Sequence, residues 1–329
     1  MKKILLTGAA GFIGSNTASA LLARGDVVVG VDNLNDYYDP ARKHANLEEV
    51  RAAAPDAEKF IFHKADIRDE AAMESLFAEH RFDAVIHLAA MAGVRASIED
   101  PRLYLDVNLG GTLTLLEAAR KHGQPIFVFA STSSVYGRTK VIPFVETDSA
   151  DRPLAPYPAS KRAAELLGHS YFHLYDQNFT ALRFFTVYGP RGRPDMMAYL
   201  VLDNIFRGKD VPLYNNGQMH RDWTYVDDIV QGIVAAADRP LGYEVINLGR
   251  GKPTLLADFV RLIEGLAKKR SDLVDQPMPA ADIAYTYASI ERAEELLDYA
   301  PQVTVEQGVE AFWSWYRQAV MESGDDGPL

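Results

Sequence analysis

Tyr157 and Lys161 stand four residues apart in Tyr157-Pro158-Ala159-Ser160-Lys161, a spacing that puts both side chains on one face if the segment is helical. A phenol with a pKa near ~10 is a poor base at neutral pH, and a neighbouring ammonium favours its ionised form. Bringing it into the working range takes about 4 kcal/mol, which a partly desolvated charge pair can supply. Such a pair could take the proton from an alcohol. A surface lysine beside a half-buried tyrosine has the same spelling, so the weight of the motif depends on the chain around it.

What must position the pair is written upstream. Lys3 to Thr7 reads as an apolar strand, followed by Gly8-Ala9-Ala10-Gly11-Phe12-Ile13-Gly14 and a helical pattern through Leu21, Leu22 and Ala23. Strand, glycine turn and helix in that order bring the backbone close to a pyrophosphate and aim helix N-terminal amides at it. Val27 to Val31 is a second strand ending in Asp32, whose carboxylate suits the ribose hydroxyls of an adenosine and repels a 2'-phosphate, which selects NAD over NADP. Phe60 to Ile67 reads as a third strand, with Asp66 and Ile67 beside the adenine. Ala84 to Ala90 reads as a buried fourth strand whose small end residues let a cofactor pass, with His87 structural. A helix after Pro101 carries Asn108 and an apolar face of Leu113, Leu115 and Leu116, and Pro125 to Ala130 is a fifth strand. This alternation predicts an α/β fold, a Rossmann-type doubly wound parallel sheet. Ser131-Thr132-Ser133-Ser134 then falls at a strand's carboxyl end, where ligands bind in such sheets.

Further on, Phe179 to Phe185 is a sixth strand, the text to about His220 is loop-rich, and Val211 to Gly217 is a strand and turn. Arg221 to Asp228 begins a helix that returns to the first half, and Glu244 to Leu248 adds one more strand to it. Residues from about Gly251, including Trp313, Trp315 and Tyr316, read as a small helical lobe.

At 329 residues and 48% hydrophobic, the chain can bury a large core. A net charge of -11 repels nucleic acid and anionic membrane surfaces. With no cysteine there is no disulfide, thiolate chemistry or cysteine-ligated zinc, and no metal is expected; this fits a cytoplasmic location. The apolar run after Lys2 and Lys3 is too short for a signal peptide, and no run spans a bilayer. With no export signal, Asn178-Phe179-Thr180 is an accidental glycosylation sequon.

Glycine loop, Asp32, Ser/Thr cluster and Tyr157 with Lys161, in order, resemble the extended short-chain dehydrogenase/reductases. Asp32-Asn33-Leu34-Asn35-Asp36-Tyr37-Tyr38-Asp39, Thr132 to Gly137 and Gly189 to Met196 are similar to the UDP-glucuronate 4-epimerases, NAD-dependent nucleotide-sugar epimerases. The resemblance implies a catalytic trio of Thr132, Tyr157 and Lys161. It places Gly8, Gly11, Phe12, Ile13, Gly14, Asp32, Asn33, Asn35, Lys43, Asp66, Ile67, Leu88, Ala89, Ala90 and Asn108 around NAD, with Tyr157 and Lys161. Val211, Leu213, Arg221 and Asp282 resemble positions that hold the uridine diphosphate, although Pro279-Ala280-Ala281-Asp282 departs from a common Gln-Pro-Gly-Asp. Ser133, Ser134, Thr186 and Arg193 would bind a sugar carboxylate, with Arg193 an unpartnered charge when none is bound. The expected organisation is a NAD-binding domain of residues 1–185, with 223–250 returning to it, a nucleotide-sugar lobe of 186–222 and 251–322, and a tail of 323–329. A homodimer through the helices after Pro101 and Tyr157 is implied as well.

The expected reaction is inversion at C4 of UDP-glucuronate to UDP-galacturonate through a 4-keto intermediate. Sugar-nucleotide dehydratases carry an Asp-Glu pair where Ser133 and Ser134 stand, and decarboxylases carry Glu at the second place. Two alternatives remain, a UDP-glucose/UDP-galactose 4-epimerase and a non-catalytic NAD-sensing binding protein.

Overall fold

A computed structural model describes residues 1–279 and 281–321. The expected tail, 323–329, and Ala280 lie outside the described residues. Seven parallel strands form the central sheet in the order β7-β6-β5-β4-β1-β2-β3: β1 (Lys3–Thr7), β2 (Val27–Asp32), β3 (Phe60–Lys64), β4 (Ala84–His87), β5 (Ile126–Thr132), β6 (Phe179–Phe184) and β7 (Tyr243–Leu248). Strands three and four are shorter than the sequence suggests, because Ala65 and Leu88 already begin the turns that cross the sheet's carboxyl edge.

Alternation across the pleat explains the two cores. Ile4 and Leu6 of β1 face one cluster with Val28, Leu21 and Leu182; Leu5 between them faces another with Val29, Val85 and Phe127. Helices cover both faces, so the strands read as nearly continuous apolar runs. These are α1 (Phe12–Ala23), α2 (Pro40–Ala53), α3 (Glu70–Glu79), α4 (Pro101–Leu105), α5 (Gly111–Lys121) and α6 (Pro156–Tyr175). A π-helical turn, Asp106–Gly110, joins α4 to α5 and carries Asn108. On α5, Leu115 and Leu116 are fully buried, but Leu113 is 43% exposed and does not belong to the apolar face assigned to it. One position further round a 3.6-residue turn is enough to leave the core.

The stretch read as loop up to His220 contains a helix, α7 (Met197–Arg207). Its Ala198, Val201, Leu202 and Ile205 repeat on one buried face, and Gly208 ends it at φ +66. The helix expected from Arg221 starts only at Val226, because Arg221 and Trp223–Tyr225 are extended. It is α8 (Val226–Ala237), followed by α9 (Leu256–Ala267), α10 (Glu291–Leu297) and α11 (Val305–Tyr316). Three two-stranded ribbons complete this side: Thr186–Tyr188 with Trp223–Tyr225, His220–Arg221 with Thr254–Leu255, and Val211–Tyr214 with Leu273–Gln276. Aromatic packing ties the parts together, with Trp223 stacked on Phe259 at 4.0 Å between ring centroids and Tyr199 against Phe312 and Tyr316.

Candidate active site

The strand order reverses at β1, between β2 and β4, which opens a crevice at the carboxyl ends of Thr7 and His87. The turn after β1 crosses it very closely. Gly8 adopts φ +71, and a Cβ there would lie 2.8 Å from the amide nitrogen of Ala89; a Cβ at Gly14 would lie 2.0 Å from the Gly8 carbonyl oxygen. Neither position admits a side chain. α1 then starts at Gly11 with no side-chain cap, so the amides of Phe12, Ile13 and Gly14 present an anion site.

Around this crevice the sequence-assigned residues form a connected set. Asp32 is nearly buried and organises the turn: its Oδ2 accepts from the Ala10 amide at 3.1 Å and its Oδ1 from that of Leu34 at 2.9 Å. A carboxylate has further lone pairs for a ribose hydroxyl. Asn33 donates to Asp66 at 3.0 Å, and Lys43 donates to the Asn35 side chain at 2.6 Å. Arg68 holds the Asp66 carboxyl far below its usual range. Ile67 is buried, and Leu88, Ala89 and Ala90 follow β4, where the Ala89 amide donates to Thr7 Oγ1 at 3.2 Å. Asn108 is fully buried; its amide donates to the Met91 carbonyl and to Ser160 Oγ, both at 3.0 Å, so it fixes the crevice wall to α6. His87 bridges Thr7 Oγ1 at 2.7 Å and Thr112 Oγ1 at 3.1 Å, the structural part expected of it.

α6 begins at Pro156, which suits a first helical position, and therefore places Tyr157 in the first turn, where the helix dipole favours negative charge. Burial pushes the Tyr157 phenol up, while the Arg193 charge and a hydrogen bond to Thr132 push it down. Thr132 ends β5 and accepts from the Ser134 amide at 3.2 Å. Lys161, one turn along α6, is 2% exposed, and its ammonium makes no hydrogen bond among the described residues; Nζ lies 4.7 Å from the centre of the Phe129 ring. Burial brings it down to about 7, against the pull of Glu165. An orphaned buried ammonium at this edge, an uncapped helix start and Asp32 together fit a dinucleotide.

Ser133, Ser134, Thr186, Arg221 and Asp282 line one cavity of about 110 Å³ with Pro158, the residue after Tyr157; Tyr157 and Arg193 are not among its lining residues. Arg221 reaches the Ile283 carbonyl at 2.7 Å, and Asp282 meets Arg95 at 3.3 Å. Val211 and Leu213 sit in the apolar core behind it. Arg193 differs from its expected unpaired state: its Nε and Nη2 bind the two oxygens of Asp195 at 2.9 and 2.7 Å. The sequence reading also passed over Glu165, Arg95, Tyr37 and Ser160. Ser160 was legible as a hydroxyl inside the Tyr-to-Lys motif; the others depend on contacts between distant segments.

A family model described as NAD dependent epimerase/dehydratase family matches residues 4–249. The chain is 42% identical to a UDP-glucuronate 4-epimerase of Thermodesulfobacterium geofontis over 96% of each chain. It is similar to the crystal structure of UDP-glucuronic acid 4-epimerase from Bacillus cereus in complex with UDP-glucuronic acid and NAD, at a TM-score of 0.89 and 34% identity, covering 96% of this chain and 99% of that one. A Thermotoga maritima UDP-glucose 4-epimerase with UDP-glucose superposes at 0.88 with 31% identity, over 97% and 99%.

Proposed function

This chain belongs to the NAD dependent epimerase/dehydratase family, and from that premise we propose that it is an NAD-dependent nucleotide-sugar 4-epimerase that interconverts UDP-glucuronate and UDP-galacturonate. The observation that carries the choice of substrate is the cavity wall of Ser133, Ser134 and Thr186, which offers hydroxyls where elimination or decarboxylation chemistry would use acids. Bound NAD supplies a hydride acceptor that is regenerated within the turnover, so no net oxidation results. Tyr157 takes the proton of the C4 hydroxyl and later returns it, and Thr132 hydrogen-bonds the same oxygen. Lys161 holds the nicotinamide ribose and, with Arg193, supports the phenolate. Arg221 grips the diphosphate by charge-assisted bonds while the 4-keto sugar turns over in a looser pocket.

The 4-ketone of a glucuronate is a β-keto acid. Ser133, Ser134, Thr186 and Arg193 hold its carboxylate in an orientation that discourages loss of carbon dioxide. We also propose that the enzyme is a homodimer, supported by Leu105, Leu113, Leu166 and Leu174, 43–63% exposed on α4, α5 and α6, and that it works in the cytoplasm, consistent with a cysteine-free chain.

The test is incubation with UDP-glucuronate and NAD with product identification by NMR. Donors left unpaired against a neutral hydroxymethyl group lose roughly 1 to 3 kcal/mol each, so kcat/KM for the two uronates should exceed that for UDP-glucose and UDP-galactose by at least about 10²-fold. Equal values would overturn the uronate assignment and leave the neutral-hexose epimerase.

A further inference from the structure

The guanidinium of Arg193 is held along one edge only. Nε and Nη2 are taken by Asp195 at 2.9 and 2.7 Å, while Nη1 makes no hydrogen bond among the described residues. Such a fork fixes the plane of the group, which an arginine with four rotatable bonds does not have by itself. Asp195 is fixed in turn by the hydroxyl of Tyr37 at 3.4 Å, and the guanidinium lies 5.6 Å from the centre of the Tyr37 ring, within cation–π range.

Tyr37 is held at both its backbone and its hydroxyl. Its hydroxyl lies against Gly93, where a Cβ would come within 2.7 Å, and its amide is anchored on the Asn35 side chain at 3.3 Å. Asn35 receives Lys43, and its own amide donates to Asn33 Oδ1 at 3.1 Å; Asn33 donates to Asp66. An unbroken run of hydrogen bonds therefore leads from the ribose side of the crevice, through the loop after β2, to Arg193, whose charge acts on Tyr157.

We propose that Tyr37 and Asp195 are positioning residues that present the free edge of Arg193 to the sugar's carboxylate, making the loop after β2 a specificity element for the substrate as well as for the cofactor. This rests on the uronate reading. Asp195 could instead compete with the substrate for Arg193, and the two roles predict opposite signs: removing an orienting partner weakens binding of a uronate, whereas removing a competitor tightens it.

The experiment is calorimetric titration of NAD-loaded protein with UDP-glucuronate, UDP-glucose and UDP. Asp195→Asn, which keeps the size and one acceptor, should weaken UDP-glucuronate by about 10-fold and change the other two by less than about 2-fold. Tyr37→Phe should act in the same direction by about 3-fold, the double variant should fall short of the product of the two, and Asp195→Glu should recover part of the loss. Unchanged or tighter uronate binding in Asp195→Asn overturns the proposal, as does an equal loss for all three ligands. If the wild type shows no uronate preference, the functional reading and the proposal fall together. If the wild type and Arg193→Ala discriminate as expected and Asp195→Asn does not, the proposal alone falls.

Discussion

Tyr157 is a half-buried phenol whose ionisation is opposed by loss of water around it and assisted by Arg193, Thr132 and the start of a helix. Tyr157→Phe keeps the ring's packing against Tyr104 and removes the proton acceptor, so turnover should fall by at least about 10²-fold with NAD binding retained, measured by progress-curve assay and calorimetry. Near-wild-type turnover would end the assignment. His87 makes a different residue-scale prediction. Burial, reinforced by Lys161, holds its imidazole well below its usual range, so the unfolded chain binds a proton near pH 6.5 that the folded chain refuses. Folded stability contributed through His87 is complete above that pH and declines as the pH falls below it. His87→Gln loses two hydrogen bonds at every pH but escapes this penalty, so its stability deficit should narrow between pH 8 and pH 5 in urea titrations; a constant deficit would show that His87 titrates normally. The glycine loop, Asp32 and the Tyr-to-Lys motif were legible in the sequence because each is a local pattern with one mechanical purpose. The pairing of Arg193 was not, since arginine and aspartate two residues apart in a loop resemble ordinary surface polarity until the fold shows the tyrosine that holds them.

α6 is aligned to the sheet by an ionic cluster whose centre, Glu165 with Arg183, is fully buried. Glu165 accepts from Arg183 of β6 at 2.9 and 2.8 Å, from Ser131 of β5 at 2.5 Å and from Arg162 at 2.9 Å. Because Ser131 precedes Thr132, and Glu165 follows Lys161 by one turn, the cluster sets the distance between the strand end and the helix that carry the chemistry. Glu165→Ala would leave Arg183 buried without its partner and should destabilise the protein by about 3 to 5 kcal/mol in urea unfolding. A change below about 1 kcal/mol would mean that water or a shifted side chain satisfies Arg183. A carboxylate on a helix usually reads as solvent-facing, which is why Glu165 escaped notice beside Lys161. α7 escaped for another reason: Met196 supplies no capping side chain, and the glycines and prolines just before it mask the apolar repeat that starts at Ala198. Leu113 was misplaced because three leucines within four residues cannot all face one side of a helix.

At the scale of the molecule, the proposed dimer would pair through the exposed leucines of α4, α5 and α6. Leu113→Glu with Leu166→Glu should convert the proposed dimer to a monomer by light scattering coupled to size exclusion, at little expense to the monomer's core because both side chains are exposed. A wild-type mass of one chain would remove the dimer proposal.

β7 hydrogen-bonds the open side of β6, yet it lies beyond residues 185–242, which contribute Thr186 and Arg221 to the cavity wall. During synthesis the strand Phe179–Phe184 therefore leaves the ribosome with an unpaired edge that waits for a segment not yet made. A nascent chain halted after residue 185 lacks β7 and leaves that edge of β6 open, a template for association between chains. The cavity wall is equally scattered, with Ser133 and Ser134 before β6, Thr186 and Arg221 between β6 and β7, and Asp282 after β7, so altering the sugar pocket means changing three separated stretches of the gene while leaving Tyr243–Leu248 untouched.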